Sequence, residues 1–315
     1  MWEKECDQKY WSHSTLPSYK QKMTVAWATI RETLARLFAR RKDPPPHSDE
    51  LKVVKLNGAF EVVASVLTDT GCRREINEDC GSFINPTDPS LLARKGCLAI
   101  VADGMGGHAA GEVASRIAVV VISRIYYQSD GDAQAALEEA FRAANHEIYD
   151  TAMKDRSLYG MGATCTALTL RDGEARVAHI GDSRLYLVRD GEIYLMTEDH
   201  SVVMEMVRRG QIEIAEARRH PQKNVILRAL GARPEASIET WPEPLLTRPG
   251  DQFLLCSDGL SDLVEDEEIK RTVLSSAPNS ACKTLIAMAK ERGGHDNITV
   301  GLFSLRPSGK ARKSK

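Results

Sequence analysis

Six short apolar segments between residues 58 and 306 restrict the fold of this 315-residue chain more than any other feature of its sequence. Each segment is rich in β-branched or other apolar residues and is bounded by Gly, Asp or Asn, a pattern that predicts β-strands. The strands come in neighbouring runs and do not alternate strictly with helices, so we predict an α+β fold of largely antiparallel sheets flanked by helices. The segments are FEVVASVLT, CLAIVAD, ARVAHIGD, RLYLVRDG, QFLLCSDG and NITVGLFSL.

Local signals add a hairpin and several helices to this framework. The stretch RLYLVRDGEIYLMT predicts a hairpin that turns at Asp190-Gly191, because Asp-Gly is the strongest short-range turn signal. Apolar residues at helical spacing predict helices at 111–126, 132–154, 200–210 and 279–291.

Composition excludes several classes of protein. A formal net charge of −2 gives no support for a nucleic-acid-binding surface, which is usually strongly basic. The seven cysteines are odd in number and form no CxxC pair, which argues against a zinc site and a disulfide framework and favours the reducing cytoplasm. No uninterrupted apolar run reaches the roughly 18 residues of a transmembrane helix, and we expect a monomer.

Residues 1–50 differ in character from the rest of the chain. An amphipathic helix is predicted at 23–42, and the prolines of KDPPPHSDE then stop it and form a linker. We expect this extension to dock on the main domain or on a partner and to influence localisation or partner choice; peripheral docking at a membrane surface is an alternative. The main domain is predicted at 58–306, and 307–315 as a basic, disordered tail.

Acidic residues recur at the ends of the predicted strands. NED (77–79) precedes a strand-like segment, Asp103 and Asp258 follow apolar runs, and Asp296 comes just before the last strand. Any one of these acids alone is better explained as a turn residue. Gathered at one edge they would repel each other strongly, and they would be tolerated only if a cation compensates them or if some stay protonated.

Oxygen ligands of this kind suit Mg²⁺ or Mn²⁺. Two such ions can turn a bridging water into a hydroxide nucleophile and neutralise the charge of a phosphate ester. Gly104 would let a main-chain carbonyl approach a cation, and Arg74 could hold phosphate oxygens with its planar fork, although Arg73 is an equal candidate by chemistry alone. The glycine-rich stretch itself lacks the GxxxxGK[ST] pattern of a phosphate-binding loop.

Eight ordered motifs resemble those of the metal-dependent protein phosphatase family, type 2C, in its bacterial form. The resemblance covers roughly residues 60–305 and implies a four-layer α-β-β-α sandwich with a two-metal site at one end. The motifs are RREINED, VADGMGGHAAGEVAS, GMGATCTAL, HIGDSRLYLVRDG, TEDHS, HPQKNVILRALG, DQFLLCSDGLSD and GGHDNITV.

The resemblance also implies a ligand for each metal. Asp103 resembles the aspartate that bridges both ions, Gly104 the residue that offers its carbonyl to one of them, and Glu78 a further ligand of that ion, partly through water. Asp258 and Asp296 resemble the ligands of the second ion.

Further roles follow from the same resemblance. Asp79 would hold water or support the ligands, Asn297 would accompany the last ligand, and Arg74 would clamp the phosphate. The GDSR turn, residues 181–184, is expected to be structural, with Asp182 holding the backbone and Arg184.

Three features leave questions open. Met105 stands where eukaryotic members carry a proposed general acid; His108 and a metal-bound water are the two alternatives, and a structural role for His108 is favoured. A third metal occurs in many bacterial members, and Asp155 is the one acid near the corresponding motif. Residues 201–224 correspond to the flap beside the active site, a cover for substrates or simply a solvated helix–loop–helix.

These features predict a protein-serine/threonine phosphatase that uses two Mn²⁺ or Mg²⁺ ions and acts on phosphorylated proteins in signalling, opposite a Ser/Thr kinase. The kinase partner is an expectation from the family. The alternative is a catalytically inactive phosphoprotein-binding module, which the completeness of the acidic ligand set disfavours.

Overall fold

The chain is described by a computed structural model over residues 52–55, 60–106 and 110–307. The strands are β1 (Lys52–Lys55), β2 (Phe60–Asp69), β3 (Asp79–Ile84), β4 (Cys97–Met105), β5 (Gly162–Arg171), β6 (Glu174–Ile180), β7 (Arg184–Arg189), β8 (Glu192–Leu195), β9 (Glu239–Thr240), β10 (Leu245–Leu246), β11 (Gln252–Cys256) and β12 (Ile298–Pro307). The helices are α1 (Pro89–Lys95), α2 (Ala110–Gln128), α3 (Ala133–Lys154), α4 (Val202–Arg208), α5 (Ile214–Ala217), α6 (Asp258–Ser261), α7 (Asp266–Ser275) and α8 (Pro278–Glu291).

The strands form two sheets in which every pair of neighbours is antiparallel. The first sheet has the order β1-β2-β12-β11-β7-β8. The second has the order β10-β6-β5-β4-β3, and β9 also pairs with β6. The longest pairing joins β2 to β12 across their full length. Because β12 also pairs with β11, the last strand of the chain lies inside the first sheet and not at its edge.

The main core lies between the two sheets, because side chains alternate between the faces of each strand. On β11, Phe253 and Leu255 belong to the cluster that both sheets share, whereas Leu254 packs on the other face with the helices. The rings of Phe83 on β3 and Phe303 on β12 lie 5.4 Å apart and link the sheets directly.

Helices cover the outer face of each sheet. Helix α2 packs on β3, β4 and β5, and α3 packs on α2 and β6. On the opposite side α8 packs on β2 and β12, and Ile269 of α7 and Leu285 of α8 share a buried cluster with the first sheet. The predicted α+β sandwich of four layers is therefore confirmed. No described helix is both long enough and apolar enough to cross a membrane.

The hairpin is confirmed in detail. Strands β7 and β8 pair up to Arg189 and Glu192, which leaves Asp190 and Gly191 as a two-residue turn. Their φ angles of 54° and 85° are the positive values that such a turn requires.

The boundaries differ from the predictions in places. Strand β4 continues through Asp103 to Met105, β5 was not predicted as a strand, and Pro307, placed at the start of the tail, still belongs to β12. The helix at 23–42, the boundary near residue 50 and the remainder of the tail lie outside the described residues.

Candidate metal centre

Four aspartates meet at one end of the sandwich. Asp79 on β3 and Asp103 on β4 face each other in register. Asp258 directly follows the serine after β11, and Asp296 comes two residues before β12, the antiparallel neighbour of β11. Each sheet therefore contributes two aspartates to the same edge.

The charges of these aspartates act on one another. Burial raises the pKa of Asp103 well above its usual range, and the charges of Asp79, Asp258, Asp182 and Asp296 raise it further. Burial also raises the pKa of Asp258 well above its usual range, and Asp182 is the first of the neighbouring charges that add to the effect. Without a cation, the folded protein therefore favours protonated carboxyl groups here.

Two more carboxyl groups are shifted in the same direction. Burial raises the pKa of Glu78 to about 7, although the charge of Arg74 opposes the shift. Burial raises the pKa of Asp79 to about 6, against the hydrogen bond that the Ser257 hydroxyl donates to it over 2.7 Å. These pKa values are close to neutral pH, so a cation that binds to either carboxylate would displace its proton there.

Several oxygens of the cluster are buried without a hydrogen-bond partner in the described part of the chain: Glu78 Oε1, Asp79 Oδ1 and Asp258 Oδ1. Buried polar atoms are normally partnered, and oxygen donors of this type are what hard divalent cations prefer. No three His, Cys, Asp or Glu side chains of the described residues converge into a ready metal cluster. Backbone carbonyls and waters can complete the ligand set of a hard divalent cation where fewer side chains meet.

A small space next to Gly111 at the start of α2, the cradle, also suits a bound cation. A Cβ atom placed on Gly111 would lie 2.5 Å from Glu78 Oε1 and 2.7 Å from the Gly104 carbonyl oxygen. These two oxygens therefore converge on one point, which only the absence of a side chain at residue 111 leaves free. The predicted pairing of Glu78 with the Gly104 carbonyl agrees with this geometry.

Arg74 reaches carboxylates from both sides of the cluster. It donates a hydrogen bond of 2.8 Å to Asp296 and lies 3.8 Å from a carboxylate oxygen of Glu78. Its side chain keeps 47% of its surface exposed, so the guanidinium remains accessible to a ligand. Arg73 is exposed as well, and Arg74 is the arginine of the pair that the structure connects to the cluster.

Asn297 fixes the loop that carries Arg74. Its amide donates to the carbonyls of Thr70 and Ile76, both over 3.0 Å, and its oxygen accepts a hydrogen bond of 2.7 Å from the Glu78 backbone. The residue after Asp296 thus holds the β2–β3 loop and the Glu78 backbone in place, which agrees with its expected supporting position.

Gly104 admits no side chain, which gives a test of the cradle. We expect Gly104→Ala to lower the thermal stability and to remove most activity, because the new Cβ would lie 2.0 Å from the Gly111 carbonyl oxygen and 2.6 Å from that of Glu78. Such overpacking costs about 1–3 kcal/mol. Gly131→Ala, whose nearest neighbour would be at 3.2 Å, is the matched control for thermal unfolding and activity assays. Wild-type melting and turnover in Gly104→Ala would contradict this view of the site.

The side chains of the GDSR turn do not have the expected partners. Arg184 donates to Asp199 over 2.9 and 2.6 Å and to the Tyr186 hydroxyl, so its pairing with Asp182 was predicted wrongly. Asp182 Oδ1 is buried and has no hydrogen-bond partner in the described part of the chain. Burial raises the pKa of Asp182 to about 7, and the charge of Asp199 is the next largest cause.

Other predicted residues lie apart from the cluster or outside the description. Asp155 caps the short 3₁₀-helix Arg156–Leu158, accepting hydrogen bonds of 2.9 and 2.7 Å from the backbone and hydroxyl of Ser157. Its role at a third metal stays a prediction. His108 lies outside the described residues. The structure brings together Arg74, Glu78, Asp79, Asp103, Gly104, Asp258 and Asp296.

The sandwich places acidic side chains at one end beside an accessible arginine, an arrangement that suits a hydrolase dependent on divalent cations. Residues 90–296 match the family described as Protein phosphatase 2C. The chain belongs to the protein phosphatase 2C family, and the predicted enzyme class, a protein-serine/threonine phosphatase, is confirmed.

Named relatives agree with the family. The serine/threonine phosphatase stp of Listeria innocua is 37% identical over 243 residues, which cover 75% of this chain and 93% of the relative. The protein phosphatase PhpP of Streptococcus pneumoniae is 36% identical over 247 residues, which cover 76% and 96%.

Solved structures agree as well. The crystal structure of the Mycobacterium tuberculosis serine/threonine phosphatase PstP/Ppp superposes with a TM-score of 0.70 at 37% identity, covering 78% of this chain and 99% of PstP. The PstP catalytic domain in complex with two manganese ions gives a TM-score of 0.67 at 35% identity, with the same coverage. This neighbour supports the predicted manganese or magnesium cofactor.

Proposed function

We propose that the protein hydrolyses phosphoserine and phosphothreonine in proteins with two Mn²⁺ or Mg²⁺ ions bound at the aspartate cluster. The observation that carries the proposal is that both sheets place buried aspartates at one end of the sandwich, where their charges act on one another, and that oxygens of Asp79 and Asp258 have no hydrogen-bond partner in the described part of the chain. Those carboxyl groups can stay ionised together at neutral pH only with compensating positive charge. The family, the named phosphatases and the manganese-bound neighbour support the same reaction.

We infer how the ligands would divide between the two ions. Asp103, on β4 opposite Asp79, would contact both ions. Glu78 and the Gly104 carbonyl share the cradle at Gly111 and would hold one ion, and Asp258 and Asp296 would hold the other. When bound, the two ions would supply a hydroxide nucleophile and would offset the negative charge of the phosphate.

The chain's own residues orient the reaction. Arg74 would turn its guanidinium from Asp296 to the phosphate oxygens, a planar contact that also fixes the direction of attack. Asp79 is held by Ser257 beneath the ligands, where it can position water through its unpaired oxygen. No side chain needs to accept the phosphate covalently.

The reaction also implies partners and a compartment. A phosphoprotein substrate must be supplied by a protein kinase for serine and threonine, so we place the enzyme opposite such a kinase in signalling. The six cysteines of the described residues are all free, which suits the reducing cytoplasm.

The proposal is tested with a phosphothreonine peptide and a phosphotyrosine peptide of the same sequence. We expect Mn²⁺-dependent release of phosphate from the first, little from the second, and a loss on the order of a thousandfold in Asp258→Ala. Binding of the phosphopeptide without turnover would instead show a catalytically inactive binding module. Turnover that survives both metal removal and Asp258→Ala would refute the proposed site.

Arg74→Lys tests whether the contact with phosphate requires the planar guanidinium of Arg74 or only a positive charge. We expect kcat/KM for the phosphothreonine peptide to fall by about 10- to 100-fold, because an ammonium cannot reproduce the planar contacts of a guanidinium. Arg73→Lys is the matched control and should keep wild-type rates. Steady-state kinetics of both variants show which arginine contacts the phosphate. A larger loss of kcat/KM in Arg73→Lys would assign this contact to Arg73.

A further inference from the structure

His200, in the motif TEDHS, lies where the flap segment, residues 201–224, joins the GDSR turn. Its backbone N–H donates a hydrogen bond of 2.7 Å to the Gly181 carbonyl, and its own carbonyl accepts one of 2.7 Å from the backbone of Leu227, just after the flap segment. Ser201, the next residue, caps α4, the first helix of that segment. The two ends of the flap segment therefore meet at His200, beside the turn between β6 and β7.

The side chain of His200 is buried and has a polar neighbour at each ring nitrogen. The backbone N–H of Gly181 donates to Nδ1 over 3.1 Å, and Nε2 lies 3.1 Å from a carboxylate oxygen of Glu239 on β9. An amide N–H can only donate, so Nδ1 is unprotonated and the single ring proton lies on Nε2, from which it is donated to Glu239. These contacts therefore require the neutral Nε2–H tautomer of His200.

The groups around the ring agree with a neutral imidazole. Burial lowers the pKa of His200, and the charge of Arg228, whose guanidinium lies 3.3 Å from Nε2, lowers it further against the effects of Glu239 and Glu198. The ring of His179 packs against it at a centroid distance of 4.9 Å. Burial lowers the pKa of His179 to about 3, so this second ring adds no positive charge at neutral pH.

The GDSR turn connects His200 to the proposed metal centre. Gly181 has a φ angle of 108°, and a Cβ atom on it would lie 2.3 Å from the Cβ of Thr164, so the turn packs directly on that residue. Thr164 on β5 pairs in register with Asp103 on β4. Asp182, the next residue of the turn, is the first neighbouring charge that raises the pKa of Asp258. A shift of this turn would therefore move groups next to the metal ligands of both sheets.

We propose that His200 is a positioning residue of the phosphatase reaction, which ties the GDSR turn to both ends of the flap segment through the acceptor Nδ1 of its Nε2–H tautomer. It acts through the backbone of Gly181 and not by contact with the substrate. Without this acceptor the buried Gly181 N–H loses its partner, and the turn must shift to find another. The inference rests on the proposed phosphatase function and adds a residue to it.

Asparagine and glutamine separate the two contacts of the ring. In His200→Asn the side-chain oxygen can replace Nδ1 as the acceptor for Gly181 but does not reach Glu239, whereas in His200→Gln the amide can reach Glu239 and leaves the Gly181 N–H unpaired. Each variant loses one contact, so both should have a lower Tm. We expect kcat for the phosphothreonine peptide to fall about 10- to 100-fold in His200→Gln and less than about threefold in His200→Asn, with KM little changed.

The tautomer is measured independently of activity by ¹⁵N NMR of the histidine rings in the chelated wild-type protein. We expect Nδ1 of His200 to be unprotonated and Nε2 to carry the proton, with the signals assigned by their loss in His200→Asn. A proton on Nδ1 of the folded protein would overturn the proposal. His146→Gln, the same change at an exposed histidine of α3, is the control and should keep the wild-type kcat and Tm.

The kinetic outcomes separate the positioning role from the phosphatase function itself. Equal losses of kcat in His200→Asn and His200→Gln, or a wild-type kcat in both despite a lower Tm, would show that His200 only supports the fold. Absence of Mn²⁺-dependent turnover of p-nitrophenyl phosphate by the wild-type protein would instead overturn the phosphatase function, and this proposal with it.

Discussion

Asp103→Asn should abolish phosphatase activity while making the metal-free protein more stable. Burial raises the pKa of Asp103 well above its usual range, and the neighbouring charges of Asp79, Asp258, Asp182 and Asp296 raise it further. An asparagine of the same shape needs neither a buried charge nor the uptake of a proton at this position, so the free-energy cost of folding without metal decreases. The same change removes the ligand proposed to contact both ions, so we expect kcat to fall at least about a thousandfold.

Two measurements on one variant check both halves of this prediction. Phosphate release from a phosphothreonine peptide with Mn²⁺ gives the activity, and thermal unfolding with a chelator gives the stability. Each kcal/mol of repulsion relieved should raise the Tm by about 2–4 °C. Asp130→Asn, with the same loss of charge on a fully exposed side chain, should change neither quantity. A lower Tm in the chelated Asp103→Asn protein would show that Asp103 stabilises the fold without metal.

The strands that could be predicted from the sequence are those that end at a recognisable turn or polar residue. Strand β11 is a short apolar run closed by Ser257 and Asp258, and the β7–β8 hairpin has its Asp-Gly turn. Strand β5 was missed because both of its faces are covered, so its residues show no alternation of apolar and polar side chains. Small residues such as Ala163 and Cys165 add no local preference for a strand, and only the sheet on either side specifies one.

In the site, too, residues marked by a local sequence pattern could be predicted, whereas contacts between residues far apart in the sequence could not. Asp103, Asp258 and Asp296 were predictable because each stands at the end of an apolar segment. The support that Ser257 gives to Asp79 joins residues 178 positions apart, and no local pattern announces it. The cradle at Gly111 was missed because a glycine near a helix start has many explanations.

The error at the GDSR turn has a physical cause. Two residues of opposite charge close in sequence, Asp182 and Arg184, suggested a local pair. Arg184 instead donates one hydrogen bond to each carboxylate oxygen of Asp199, a planar two-point contact that suits a guanidinium. The Asp182 carboxylate keeps a buried, unpaired oxygen, and its charge adds to the raised pKa values of Asp103 and Asp258.

Removal of the metals should abolish activity and should destabilise the protein more as the pH rises. In the metal-free protein burial raises the pKa of Glu78 from 4.5 to about 7 and that of Asp79 from 3.8 to about 6. Between pH values of about 4 and 7 the folded state therefore binds more protons at these groups than the unfolded state. Their contribution to stability is complete below that window and is lost as the pH rises through it.

Metal binding has the opposite dependence on pH, because carboxylates must lose their protons to act as ligands. The difference in Tm between the Mn²⁺-loaded and the chelated protein should therefore widen from about pH 5.5 to about pH 7.5. Glu78→Gln should reduce this widening, since it removes a group whose pKa lies in the window. Lys290→Gln, which disturbs only the partly exposed ion pair with Asp69, is the control and should keep it. A difference in Tm that stays constant or narrows with rising pH would mean that the buried carboxylates are not where the metals bind.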